Sequence, residues 1–172
     1  MKRICSLMMS MLMILCLFTA CSSDDEPGNN EGISIDGASV VIDEADITYN
    51  KVLEDSQGDF VIPEHASCTA YLYFDDFLYR FNFSIYGVST EREMVKGKNV
   101  IDDLSVLAFH PISSIELATR YGEEAGSVIV KEVAHGYVVL EFKNFSFEKD
   151  NNGRKHTYHI NGCIKYNDIN VD

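Results

Sequence analysis

Ala66-Ser67-Cys68-Thr69-Ala70-Tyr71-Leu72-Tyr73-Phe74-Asp75-Asp76-Phe77-Leu78-Tyr79-Arg80-Phe81-Asn82-Phe83-Ser84-Ile85-Tyr86-Gly87 is the stretch that decides the fold. Ala66, Cys68, Ala70, Leu72 and Phe74 share one parity, and so do Phe77, Tyr79, Phe81, Phe83 and Ile85. Successive side chains of a strand point to opposite faces, so each run presents one apolar face. Asp75-Asp76 separates the runs, and two turn-tolerant residues between alternating segments predict a β-hairpin, although Asp-Asp is a poorer primed turn than Asn-Gly. Leu78, Arg80, Asn82, Ser84 and Tyr86 face the other way, which is the pattern of an antiparallel sheet with one wet face. Gly87 closes the unit.

The same signal extends in both directions. Upstream, Ile33 and Ile35, then Val40-Val41-Ile42, then Ile47, Tyr49 and Val52 form short β-branched and aromatic runs broken by Asp-Gly and acids. Downstream, residues 89–103 are polar with one helical turn at Thr90–Val95, and Leu104–Phe109 is a strand stopped by Pro111. Ile112–Tyr121 fits both periods and is read as strand from its surroundings. Ser127–Val133 turns through Ala134-His135-Gly136 into Tyr137–Phe147, and a loop at Glu148–Lys155 returns into His156–Asn167. Gly162 in the middle of that last run signals a bulge or a close backbone approach. The expected fold is all-β: a single antiparallel β-sandwich of about eight or nine strands, with a meander β-barrel as the alternative.

Charge and cysteine usage narrow the partners. The chain of 172 residues carries 14 Lys and Arg against 27 Asp and Glu, a formal −13. Such a surface disfavours nucleic-acid backbones and anionic lipid as partners. The acids recur as pairs such as Asp43-Glu44, Asp75-Asp76 and Asp102-Asp103, read as solvated turns. Of the cysteines, Cys68 and Cys163 fall in the β-rich region. An oxidising compartment permits a bridge between them, but their strand parities put them on different faces.

The N-terminus supplies an address. Lys2 and Arg3 precede an apolar run from Ile4 to Phe18, and small Thr19 and Ala20 precede Cys21. A positive start, a short apolar segment and a small-residue exit describe a secretory signal, and the run is short of the ~20 residues of a membrane-spanning helix. Residues 22–32 hold Pro27, Gly28, Asn29, Asn30 and Gly32 among acids with no apolar residue, a flexible tether.

Phe18-Thr19-Ala20-Cys21 resembles the lipobox of bacterial lipoproteins, whose cysteine is diacylated and becomes the mature N-terminus. Phe18 departs from the usual Leu. The following Ser22-Ser23-Asp24-Asp25-Glu26 is similar to the export tract of Bacteroidota lipoproteins displayed outside the outer membrane. The whole resembles a small, uncharacterised Bacteroidota surface lipoprotein, a likeness that carries no activity. It implies a signal peptide at 1–20, a lipidated N-terminus and acidic linker at 21–32, and a β-rich domain at 33–172. Loss of Lys2 and Arg3 with the signal takes the formal charge from −13 to −15. Acyl chains on Cys21 then hold the protein at the outer membrane, facing outward.

Catalytic and metal signatures are sparse. His156 and His159 are three apart, hence on opposite faces of a strand, and no zinc spacing occurs among the five histidines. Glu148, Asp150, Asn152 and Gly153 match part of a calcium loop, but His159 stands where the bidentate Glu belongs, so a polar hairpin tip explains them. No nucleophile elbow, phosphate loop or His-Glu-x-x-His is present. The expectation is a non-enzymatic protein without cofactor or metal. It would act by protein–protein interaction or adhesion, with carbohydrate or small-ligand binding as the first alternative and an uncharacterised hydrolase as the second. Tyr71, Tyr73 and Tyr86, on outward parity, are the candidate ligand-binding aromatics; the absence of Trp weakens the glycan reading.

Overall fold

The computed structural model describes residues 32–54, 61–112, 125–151 and 154–170. Ten strands occur among them: β1 (Ile33–Ile35), β2 (Ala38–Asn50), β3 (Leu53–Glu54), β4 (Val61–Ile62), β5 (His65–Phe74), β6 (Phe77–Tyr86), β7 (Leu104–Pro111), β8 (Ala125–Ala134), β9 (Tyr137–Asn151) and β10 (Arg154–Asp168). Eight form one sheet in the order β7-β6-β5-β2-β1-β10-β9-β8, curled into a half-barrel; β3 and β4 pair separately. The all-β, antiparallel expectation holds. A single curled sheet stands where two stacked layers were the first choice, so the barrel alternative lies closer.

The 66–87 hairpin forms as its parity demands, with Ala70 opposite Phe81 and Cys68 opposite Phe83. Asp75 and Asp76 both take left-handed backbone, φ 50° and 64°, as does Asp36 at 52° before Gly37 at 81°. Positive φ at both central residues is the primed turn that matches strand twist, and Asp tolerates it better than most side chains. Other boundaries differ from expectation. β2 is one strand of 13 residues, because Asp43-Glu44 does not break it. The register with β5 shifts there, between Ile42 and Glu44, and this bulge leaves both acids exposed. Likewise β9 and β10 run through the expected loop and remain paired out to Asn151 opposite Arg154. The helical turn shrinks to a 3-10 turn at Glu91–Glu93. Ile112–Tyr121 lies outside the described residues except for its first.

One face of the curl forms the core. Ala66, Cys68, Ala70 and Leu72 of β5 are buried beside Phe81, Phe83 and Ile85 of β6. The small side chains on β5 leave room for rings reaching in from the far half. Phe81 meets Phe142 of β9 at 5.9 Å and Phe147 at 6.2 Å; Phe83 meets Tyr166 of β10 at 6.0 Å. Aromatic area fills the interior, which is why one sheet suffices without a second layer. The connection between β6 and β7 helps close the curl: Gly97 and Val100 donate backbone hydrogen bonds to Val130 and Val128 of β8, and Val130 donates to Lys98.

Two tight backbone approaches set the bends. In β9 a bulge at Lys143-Asn144 lets Phe142 and Phe145 both face inward, and Asn144 donates its N–H to Asn161 Oδ1. In β10, Gly162 has φ +116°, and a Cβ there would lie 2.4 Å from the Gly32 carbonyl oxygen. The close approach read from Gly162 is therefore present, and it is where β1 docks.

Tyr166 is fully buried, and its hydroxyl, like that of Tyr49, reaches no hydrogen-bond partner among the described residues. Tyr166→Phe should leave stability unchanged or raised, by about 1 kcal/mol at most, because no hydrogen bond among the described residues is lost. Urea denaturation checks this. A loss above about 2 kcal/mol would show that the hydroxyl has a partner in solution.

Candidate functional site

The half-barrel has a mouth where three elements converge: the β1–β2 turn with Asp36, the β5–β6 turn with Phe74 and Asp75, and the start of β10. These residues, with Arg154, Lys155, His156 and Tyr158, line an open groove of about 620 Å³. Its floor is the end of the aromatic core. Tyr158 stacks on Phe147 at 5.4 Å, and Phe74 and His156 meet Tyr158 edge-on at 6.4 Å and 4.4 Å. Phe74 and Tyr158 are only partly buried, so the groove is apolar below and charged at its rim.

Asp36 organises one side of the rim. Its Oδ1 accepts the backbone N–H of His159 at 2.8 Å, and its Oδ2 lies 3.0 Å from His156 Nε2. Its own N–H donates to the His159 carbonyl at 2.9 Å. The turn is thus pinned to β10. Lys155 pairs with Glu148 at 2.6 Å. Behind the floor, buried Lys149 donates from Nζ to the Phe109 carbonyl at 3.1 Å, tying β9 to β7 across the gap in the curl. The side chains of Arg154 and Asp75 make no hydrogen bond or ion pair among the described residues.

The candidate tyrosines lie on the outer face, as their parity requires. Tyr73 sits opposite Val41 on β2 and Leu78 on β6; Tyr71 sits opposite Glu44 and Arg80. Tyr86 pairs with His65, with ring centroids 5.9 Å apart. Six register steps separate it from Arg80, about 20 Å at ~3.3 Å per residue. The sheet therefore brings Tyr71 and Tyr73 together and leaves Tyr86 apart. Around Tyr73 the surface is apolar. Val41 is 66% exposed and Ile112 48%, and Ile112 donates its N–H to the Leu78 carbonyl. Tyr73 lies two residues before Asp75 of the hairpin turn, so this strip borders the mouth.

Other candidates sort plainly. Cys68 and Cys163 are both buried and are not joined by a disulfide. Cys68 faces the core, and burial pushes its thiol well above the ordinary range, into an inert form. Cys163 sits on the opposite parity, with Lys131 Nζ 3.6 Å from its sulfur. Glu148 of the calcium-like loop is engaged by Lys155, and Asn152 and Gly153 lie outside the described residues. No group of three His, Cys, Asp or Glu placed to hold a metal occurs among the described residues. Cys21 and Ser22, Ser23, Asp24, Asp25 and Glu26 also lie outside them.

Sequence reasoning missed Asp36, Arg154, His156 and Tyr158 as a group, and Val41 and Ile112 as neighbours of Tyr73. The usable signal was Arg154-Lys155-His156, three consecutive cationic residue types in a strongly acidic chain. No protein-family model, no curated protein and no solved structure matches the chain.

Proposed function

We propose a lipid-anchored protein of the outer membrane, facing outward, that acts by binding a protein partner through the outer face around the β5–β6 turn. The observation that carries the binding reading is the row of Val41, Tyr73 and Ile112 across the outer face at that end, all exposed. Tyr is among the anchors favoured in protein interfaces, and contiguous exposed apolar groups mark such surfaces. The anchor rests on Phe18-Thr19-Ala20-Cys21 and the acidic tract that follows. No catalytic step is assigned; the activity is binding.

A photo-crosslinking residue in place of Tyr73 on intact cells tests this reading, with Val61, equally exposed on the separate β3–β4 pair, as the control position. A discrete adduct from position 73 and none from position 61 is expected. Equal adducts, or none at position 73, would contradict it.

A second reading, carbohydrate or small-ligand binding, is favoured by the groove. Barrel mouths with an apolar floor and a few convergent polar groups are common ligand sites, and about 620 Å³ lies within their usual range.

A further inference from the structure

We infer that the mouth binds an acidic sugar, a pyranose ring carrying a carboxylate within an anionic glycan; the inference rests on the second reading above. Three features converge. Phe74 and Tyr158 offer a partly exposed aromatic floor, the kind of surface on which the C–H face of a sugar ring settles. Arg154 is exposed on the rim and its side chain has no ion-pair or hydrogen-bond partner among the described residues, so its planar fork is available to take a carboxylate through two parallel hydrogen bonds. Asp75, equally without a partner there, and Asp36 supply acceptors for ring hydroxyls. His156 is held against Asp36 at 3.0 Å, which fixes the orientation of both.

Charge decides between sugar classes. Of the basic residues at the groove, Lys155 is paired with Glu148 and His156 with Asp36, which leaves the Arg154 guanidinium to meet an incoming anion. A neutral glycan leaves that guanidinium without a charged partner, whereas a carboxylate matches its planar fork through two charge-assisted hydrogen bonds. An acidic peptide would satisfy Arg154 but leave the aromatic floor and the two carboxylates without use.

The test is calorimetric titration of the detergent-solubilised full-length protein with polygalacturonate, alginate and hyaluronate. Dextran, methyl-esterified polygalacturonate and polyglutamate serve as comparisons. The expected result is binding to at least one acidic polysaccharide that weakens at least tenfold in Arg154→Gln and falls with added salt, with no binding to dextran or the ester. Arg154 is exposed, so the variant should melt with the wild type, and its binding loss reports the site. Equal binding of the ester, or no binding to any acidic polysaccharide, overturns the inference. Polyglutamate captured in an Arg154-dependent way, without the sugars, overturns the sugar and leaves the mouth a binding site. Silence from every probe, alongside retained crosslinking at position 73, removes the second reading and leaves the first.

Discussion

Gly162→Ala should destabilise the protein by about 4 kcal/mol, combining backbone strain at positive φ with overpacking. The added Cβ would lie 2.4 Å from the Gly32 carbonyl oxygen and 2.9 Å from Ile33 Cα, both backbone atoms that no side-chain rotation can clear. The φ of +116° is itself one that an L side chain rarely adopts. β1 is three residues long, and it holds its place by pairing Ile33 with Gly162 and Ile35 with Ile160 on one side and β2 on the other. Ile33 and Ile35 are both buried. A displaced β1 would also unpin the Asp36 turn, and with it one side of the mouth. Urea denaturation gives the magnitude, and hydrogen exchange at Ile33–Ile35 should show the earliest loss of protection. A change below about 1 kcal/mol would mean that β1 is not docked as described.

Phe81→Ala comes second, at about 3–5 kcal/mol, the usual range for truncating a fully buried phenylalanine. Phe81 is not merely one core ring among several. From β6 it contacts Phe83 on its own strand, Phe109 on β7, and Phe142 and Phe147 on β9. It therefore joins the two halves of the curl, which lie far apart in strand order and are held by packing across the interior. Phe77→Ala, four residues away on the same strand but exposed, should cost less than about 0.5 kcal/mol. If both substitutions cost the same, the interior contact between halves is wrong.

How far the chain could be read by eye depends on which information is local. The β5–β6 hairpin and the strain at Gly162 were legible, because parity and an isolated glycine are properties of neighbouring residues. The continuity of β2 was not: Asp43-Glu44 looks like a break, and only a bulge opposite β5 lets the acids face water within one strand. The outer ends of β9 and β10 were lost for a similar reason. Their side chains past Glu148 are mostly polar, so they resemble a loop until the register is seen. Strand order was beyond reach, since β1 slots between β2 and β10 through pairings more than a hundred residues apart. The mouth suffers the same limit, because Asp36 and His156 meet across 120 positions of sequence. Outward placement of Tyr71, Tyr73 and Tyr86 followed from parity alone, whereas which of them are neighbours needed the register.

The lipid anchor underlies the proposed role, and mass spectrometry of the native N-terminus tests it most directly. Protein purified from membranes should begin at residue 21, with the mass of Cys21 increased by acyl chains and a glyceryl thioether. A chain that still begins with Met1, or an unmodified Cys21, would contradict the account and leave the outward-facing binder without its support.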